Sequence, residues 1–273
     1  MKPILQTRQL AIGYKGAPLL KGLELSLFSG ITTAVIGRNG SGKSTLIKTL
    51  TASLKPKEGE MILDGKPLGS YSNKELARLM AFVGTEKDIA GGLRLHELVA
   101  LGRIPHTGFF GKMSQEDRRG VEHSIELVGI SHKADAFVGE LSDGERQKAM
   151  IAKGLAQNTP IIIMDEPFTF LDIASKLEML RLLNRIAESE KKAILFSTHE
   201  ISLALRMAPR GWLFTSDPQS GEKRVVDGTP SELIERGEID KVFPDSAVKF
   251  SRETGEFILE NAPHEESDNK NFP

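Results

Sequence analysis

At 273 residues the chain exceeds the usual size of one domain, although a single α/β domain with a small appendage accommodates it. Hydrophobic residues make up 39% and charged residues 27%, and a net charge of −1 gives no basic field for general nucleic-acid binding. No uncharged apolar run reaches the roughly 18 residues of a membrane span, Met1-Lys2-Pro3-Ile4-Leu5 offers no apolar signal core, and the lack of cysteine excludes disulfides, thiolate metal sites and a cysteine nucleophile.

Residues 4 to 28 alternate apolar and polar with glycine punctuation, which predicts an antiparallel sheet. Tyr14 lies in the loop Gly13-Tyr14-Lys15-Gly16. An exposed ring there can stack on a purine base, and an ordinary packed or surface tyrosine is the competing reading. Ile31 to Ile36 is a short β-prone run that leads into Gly37-Arg38-Asn39-Gly40-Ser41-Gly42-Lys43-Ser44. That octet has two glycines at the phosphate-loop spacing, followed by lysine and a hydroxyl residue. Thr45 to Leu50 can continue as a helix. The glycines let backbone N–H groups turn inward, and the helix N-terminus adds more donors and its positive dipole end. Lys43 then suits the β- and γ-phosphates, and Ser44 suits Mg²⁺.

Asp64-Gly65 predicts a hairpin turn between Glu60–Leu63 and Pro67–Leu68. Ser72-Asn73-Lys74-Glu75 is a capping box that starts a helix to about Leu79, and Met80-Ala81-Phe82-Val83 reads as a buried strand. Residues 91 to 140 read as mostly helical, with helices at about Leu95–Leu101 and Gln115–Val128 separated by a Gly/Pro loop. Phe109 and Phe110 in that loop either face a partner or cover the helical region's own core. His96, His106, His123 and His132 lack metal-ligand spacing and are assigned no site.

Leu141-Ser142-Asp143-Gly144-Glu145-Arg146-Gln147 opens a helix to about Gln157, with Ser142 as its cap and Gly144 in its first turn. That is a second potential anion site, or simply a helix cap. Ile161 to Met164 is wholly apolar, as a central parallel strand is, and ends in Asp165-Glu166. Carboxylates at such a strand end stand at the ligand edge of an open α/β sheet. Asp165 fits a Mg²⁺ holder, and Glu166 fits the base that polarises the attacking water. A long helix follows, roughly Ile173 to Glu190. Ala193 to Ser197 is another central strand, with Thr198-His199-Glu200 at its end, where His199 can reach a γ-phosphate. From Gly211 the pattern becomes short strands and turns. Gly228 to Glu232 starts a short helix, and the stretch from Asn261 is polar, acidic and expected to be disordered.

Taken together, Tyr14, Gly37–Ser44, Leu141–Gln147, Ile161–Glu166, Leu171-Asp172 and His199 resemble the ATP-binding cassette (ABC) ATPases, over about residues 4 to 236. The resemblance implies an α/β fold: a P-loop NTPase core with a mixed central sheet, an antiparallel β subdomain and an inserted helical subdomain. It places the ATPase domain at 1–236, the insertion at about 88–158 and a partly disordered extension at 237–273. It further implies ATP and Mg²⁺ as ligands and a head-to-tail homodimer, with each ATP between one copy's phosphate loop and the other's Ser142, Gly144 and Glu145. Within that family the chain resembles the ATPases of iron-siderophore, haem and cobalamin importers, and Val99-Ala100-Leu101-Gly102-Arg103-Ile104-Pro105-His106-Thr107-Gly108 is similar to the Ala-Leu-Gly-Arg-x-Pro-His segment of ferric-siderophore importers in particular. That subgroup acts with integral-membrane permease subunits and, indirectly, a substrate-binding protein, peripherally at the cytoplasmic face of the cell (inner) membrane.

The chain departs from the family pattern twice. Asp143 replaces a small signature residue, which is tolerable beside a triphosphate only if its side chain points away. Thr85 stands where a glutamine is usual; we expect its hydroxyl on the metal side and Glu86 in coupling to the permease. The alternative of a soluble cassette acting on DNA or ribosomes is disfavoured. Those relatives carry two cassettes or a long coiled-coil insertion, and here one phosphate loop is followed by only about a hundred residues before the signature. A P-loop kinase does not account for the signature, and a GTPase would need an Asn-Lys-x-Asp motif, which is absent.

Overall fold

The computed structural model describes residues 1–84, 92–107, 111–217, 220–243 and 248–259. The alternating N-terminal stretch forms β1 (Leu5–Ile12), β2 (Leu20–Leu23) and β3 (Ser26–Leu27), with β1 antiparallel to both of the others. β4 (Thr32–Ile36) starts a second sheet and leads through the glycine-rich loop into α1 (Lys43–Leu50). The chain then returns to the first sheet. β5 (Glu58–Leu63) pairs with β1, and Asp64-Gly65 turns it into β6 (Lys66–Pro67).

α2 (Asn73–Leu79) begins with the expected Ser72–Glu75 capping box and delivers the chain to β7 (Met80–Val83). β7 is less enclosed than the sequence suggests. It is an edge strand, and Phe82 is 49% exposed.

Three helices follow: α3 (Leu95–Ala100), α4 (Gln115–Leu127) and α5 (Asp143–Ala156). Arg103 ties them together. Its buried guanidinium donates to Asp117 Oδ1 on α4 (Nε, 2.9 Å) and to the Ala156 carbonyl on α5 (2.8 Å). His106 Nε2 lies 2.8 Å from the carbonyl of Gln157. In the segment that carries the importer resemblance, these two side chains act as internal clamps.

β8 (Ile161–Met164), α6 (Ile173–Ser189), β9 (Ala193–Thr198), α7 (Ile201–Met207), β10 (Arg210–Ser216) and β11 (Lys223–Gly228) complete the main sheet. Among the described residues its order is β11-β10-β4-β9-β8-β7, parallel except for β11. Its central strands β4, β9 and β8 are buried along their whole length because both faces are covered. Ile162, Met164, Ile194 and Phe196 face one core, shared with α3 to α7. Ile161, Ile163, Ala193 and Leu195 face the other, shared with α1 and the antiparallel sheet. The period of two along a strand sends successive side chains to opposite cores.

After α8 (Pro230–Glu235) the chain does not simply trail away. A 3-10 turn at Asp240–Val242 leads to a hairpin of β12 (Val248–Ser251) and β13 (Glu256–Leu259). Phe243, Phe250 and Phe257 pack against the first core. The polar stretch from Asn261 lies outside the described residues.

Candidate functional site

The glycine-rich loop leaves the buried end of β4 and has no room for side chains at two of its glycines. A Cβ on Gly37 would stand 2.7 Å from Cβ of Phe214, and one on Gly42, where φ is +117°, would stand 2.8 Å from Cδ2 of Leu19. Within the loop, Ser41 N–H donates to the Arg38 carbonyl (3.2 Å). Gly42 caps α1 and has no side chain to accept from the helix's first-turn N–H groups. Arg38, Asn39, Gly40 and Ser44 are exposed, and Thr45 is buried. Ser41 Oγ is buried and has no hydrogen-bond partner among the described residues.

Lys43 is 7% exposed. Its Nζ donates to the carbonyls of Gly37 (2.9 Å) and Arg38 (3.2 Å) and lies 3.6 Å from Glu166 Oε1. Burial holds its pKa below the ordinary lysine value, and the carboxylates of Glu166 and Asp165 oppose that shift.

Asp165 and Glu166 follow β8 at the carboxyl edge of the sheet. Asp165 N–H donates to the Val83 carbonyl (3.0 Å). Ser197, fully buried in β9, joins the two acids: its hydroxyl donates to Asp165 Oδ1 (2.5 Å) and accepts from Glu166 N–H (2.8 Å). Glu166 has φ of +49°, an uncommon conformation for a side chain of its size. Its Oε2 lies 2.8 Å from His199 Nδ1. One carboxylate therefore touches the loop lysine through one oxygen and the histidine through the other.

The signature forms a separate cluster. Ser142 caps α5 in a capping box: its Oγ accepts from Glu145 N–H (3.3 Å), and Glu145 Oε2 accepts from Ser142 N–H (2.9 Å). The Ser142 N–H and hydroxyl, which donate to that carboxylate at 2.9 and 3.0 Å, with Lys133 3.5 Å away, hold the Glu145 carboxyl below its usual pKa. Asp143 pairs with Arg146 Nη1 at 3.2 Å, so the departing charge is met by a cation within its own helix. Ser142 is exposed and Gly144 partly so. Asp172 caps α6, accepting from Ser175 N–H (2.8 Å), and Phe170 and Ile173 beside it are strongly exposed.

Four of the sequence-predicted residues therefore converge: Lys43, Asp165, Glu166 and His199. Tyr14 sits a turn along α1, where Lys48 Nζ donates to its hydroxyl (3.3 Å), and its ring is 55% exposed. Thr85, Glu86, Phe109 and Phe110 lie outside the described residues. Ser197 is a site residue without a motif of its own; its sign in the sequence is a hydroxyl pair, Ser197-Thr198, at the end of an otherwise apolar strand.

A glycine loop that feeds a helix, facing an acid pair and a histidine at the edge of a parallel sheet, defines a P-loop nucleotide-hydrolase site. The ABC transporter family model matches residues 20–169, and the chain belongs to that family. An uncharacterized ABC transporter ATP-binding protein of Methanocaldococcus jannaschii is 36% identical over 260 residues, 95% of this chain and 88% of that protein. The iron(3+)-hydroxamate import ATP-binding protein of Bacillus subtilis is 38% identical over 204 residues, 75% of this chain and 76% of that protein. A bacterial ABC transporter cassette solved as a dimer is 27% identical, with a TM-score of 0.64 over 77% of this chain and 93% of that one. The chain is an ATPase whose hydrolysis is coupled to transport.

Proposed function

We propose that the chain is the ATP-hydrolysing subunit of an importer of iron chelates, of which ferric siderophores are the best-supported class. The observation that carries the catalytic reading is Lys43, buried between two loop carbonyls and Glu166. A buried ammonium whose hydrogen bonds go to two neutral carbonyls, with a carboxylate 3.6 Å away, is poised to exchange those carbonyls for phosphate oxygens. Glu166 accepts a proton from the attacking water, His199 fixes the orientation of that carboxylate, and Ser197 holds its backbone. The oxygen donors Ser44 and Asp165 fit magnesium, which prefers hard oxygen ligands and which, when bound, neutralises phosphate charge. Tyr14 contributes an exposed ring for the base. Lys43→Ala tests this reading: turnover falls by at least ~10²-fold in a folded protein, and near-normal hydrolysis overturns it.

The exposed signature end of α5, together with Phe170 and Ile173, supports a site completed by a second copy. Among the described residues no helix is long and apolar enough to cross a membrane, so transport requires separate permease subunits. Phe82, Leu101 and Ile104 are exposed, and Arg78 Nε donates to the Pro105 carbonyl (3.3 Å), which holds the loop after α3 beside α2. An apolar face of this kind suits a permease, with the subunit peripheral on the cytoplasmic side. The similarity to the iron(3+)-hydroxamate import protein supports the chelate. The test is ATPase activity of the complex reconstituted with its permease and binding protein. Ferric siderophore stimulates it under this reading; stimulation by cobalamin or haem alone overturns the siderophore assignment.

A further inference from the structure

The C-terminal segment reaches the phosphate loop. Arg38, second residue of that loop, uses its carbonyl to accept from Ser41 N–H and from Lys43 Nζ, both at 3.2 Å. Its guanidinium forms no ion pair among the described residues. It lies over the ring of Phe243, 5.3 Å from the centroid, which is cation–π distance.

Phe243 is itself held. Its ring meets Phe257 of β13 edge to face at 5.1 Å, and Phe257 meets Phe250 of β12 at 5.3 Å. The hairpin is moored by Arg206, in the last turn of α7, which donates to the Thr254 carbonyl (2.6 Å) and pairs with Glu256 (2.9 Å). α7 begins two residues after His199. Behind the loop is a cavity of about 290 Å³, with Arg38, Asn39 and Gly40 on one wall and Asp217, Lys223 and Val242 among its other lining residues. Among the described residues, the Arg38–Phe243 contact supports the loop on that side.

We infer that Phe243 is a positioning residue for ATP binding: backed by Phe257 of the β12–β13 hairpin, its ring holds the Arg38 turn, and with it the carbonyl that parks Lys43. Through Arg206 the hairpin is also tied to the helix that follows His199. This rests on reading Gly37–Ser44 as the phosphate loop. A freed Arg38 turn samples more conformations, and ATP binding must then order it. The cost appears in affinity, whereas Glu166, Ser197 and His199 keep their geometry.

The experiment compares Phe243→Leu and Phe243→Tyr, measuring ATP Kd by calorimetry without metal, KM and kcat for hydrolysis, and Tm. Leucine fills the space against Phe257 but has no ring face. It raises Kd and KM about three- to fivefold, a loss in the range of a cation–π contact, and leaves kcat within about twofold. Tyrosine keeps Kd within about twofold of the parent. In an Arg38→Ala background, Phe243→Leu has no further effect on Kd. The inference is overturned if Phe243→Leu binds ATP like the parent, if it lowers only Tm or kcat, or if its effect persists without Arg38. Should the leucine variant not fold, Arg38→Ala alone decides: it raises Kd three- to fivefold if the contact matters, and an unchanged Kd overturns the inference. Lys43→Ala in the same assay tests the phosphate-loop reading separately, by abolishing binding or turnover outright.

Discussion

Ser197→Ala perturbs the catalytic edge without altering any residue expected to touch nucleotide. The hydroxyl is fully buried, donates to Asp165 Oδ1 at 2.5 Å and accepts from Glu166 N–H at 2.8 Å. Its removal leaves a backbone donor facing a methyl group and strips a carboxylate of a hydrogen bond. Each loss is worth about 1–3 kcal/mol, so stability falls by roughly 2–4 kcal/mol after relaxation. For a chain of this length that lowers Tm by roughly 5–10 °C. Glu166 sits at positive φ and loses the bond that fixes its backbone. A transition-state penalty of about 1.4–2.8 kcal/mol gives a kcat about 10- to 100-fold lower. KM for ATP stays within about twofold, because the hydrogen bonds of Lys43 to Gly37 and Arg38 are untouched. Thermal denaturation and phosphate release at saturating ATP, well below Tm, measure both. A kcat within twofold of the parent refutes the positioning role, whatever happens to Tm.

His199→Ala removes the group 2.8 Å from Glu166 Oε2 and lowers kcat by ~10²-fold or more; a smaller effect in steady-state hydrolysis contradicts its role in orienting the base. Ser142→Arg abolishes ATP-driven dimerisation, read by size-exclusion chromatography, because it places a long cation on the exposed signature end of α5. Asp117→Asn breaks the buried Arg103 pair and costs roughly 3–5 kcal/mol, read by denaturant unfolding. In the parent, the Ser114 hydroxyl and N–H, with Arg103, hold the Asp117 carboxyl down at about 2. Its folded pKa lies below its unfolded one, so its stabilisation is present above about pH 4 and lost as pH falls towards 2. The Asn variant lacks that part of the acid-unfolding slope.

The phosphate loop, the acid pair, the capping box at Ser72 and the hydroxyl cap at Ser142 were legible because each is a local pattern with a local geometry. The apolar runs in Ile161–Met164 and Ala193–Ser197 announced central strands. The exposure of Phe82 was not legible, since Met80-Ala81-Phe82-Val83 is equally apolar and only the strand order makes it an edge. Ser197 was hidden for a different reason: its partners at 165 and 166 are about thirty residues away and meet it only through the β8–β9 pairing. Val248–Ser251 alternates, but Glu256–Leu259 ends in three consecutive apolar residues, so the hairpin around Thr254-Gly255 carries only a weak pattern of its own. The contact between Arg38 and Phe243, 205 residues apart, leaves no trace in either local sequence.

Glu166 is the proposed base of a site that two copies complete. Glu166→Gln keeps the shape and removes the base, so ATP is bound but not consumed. Light scattering on the purified variant with ATP and Mg²⁺ is the direct measurement, with released phosphate followed in the same sample. We predict a stable nucleotide-bound dimer and turnover at least ~10²-fold below the parent. A variant that stays monomeric at high concentration and hydrolyses ATP at the parent rate contradicts both the base and the shared site.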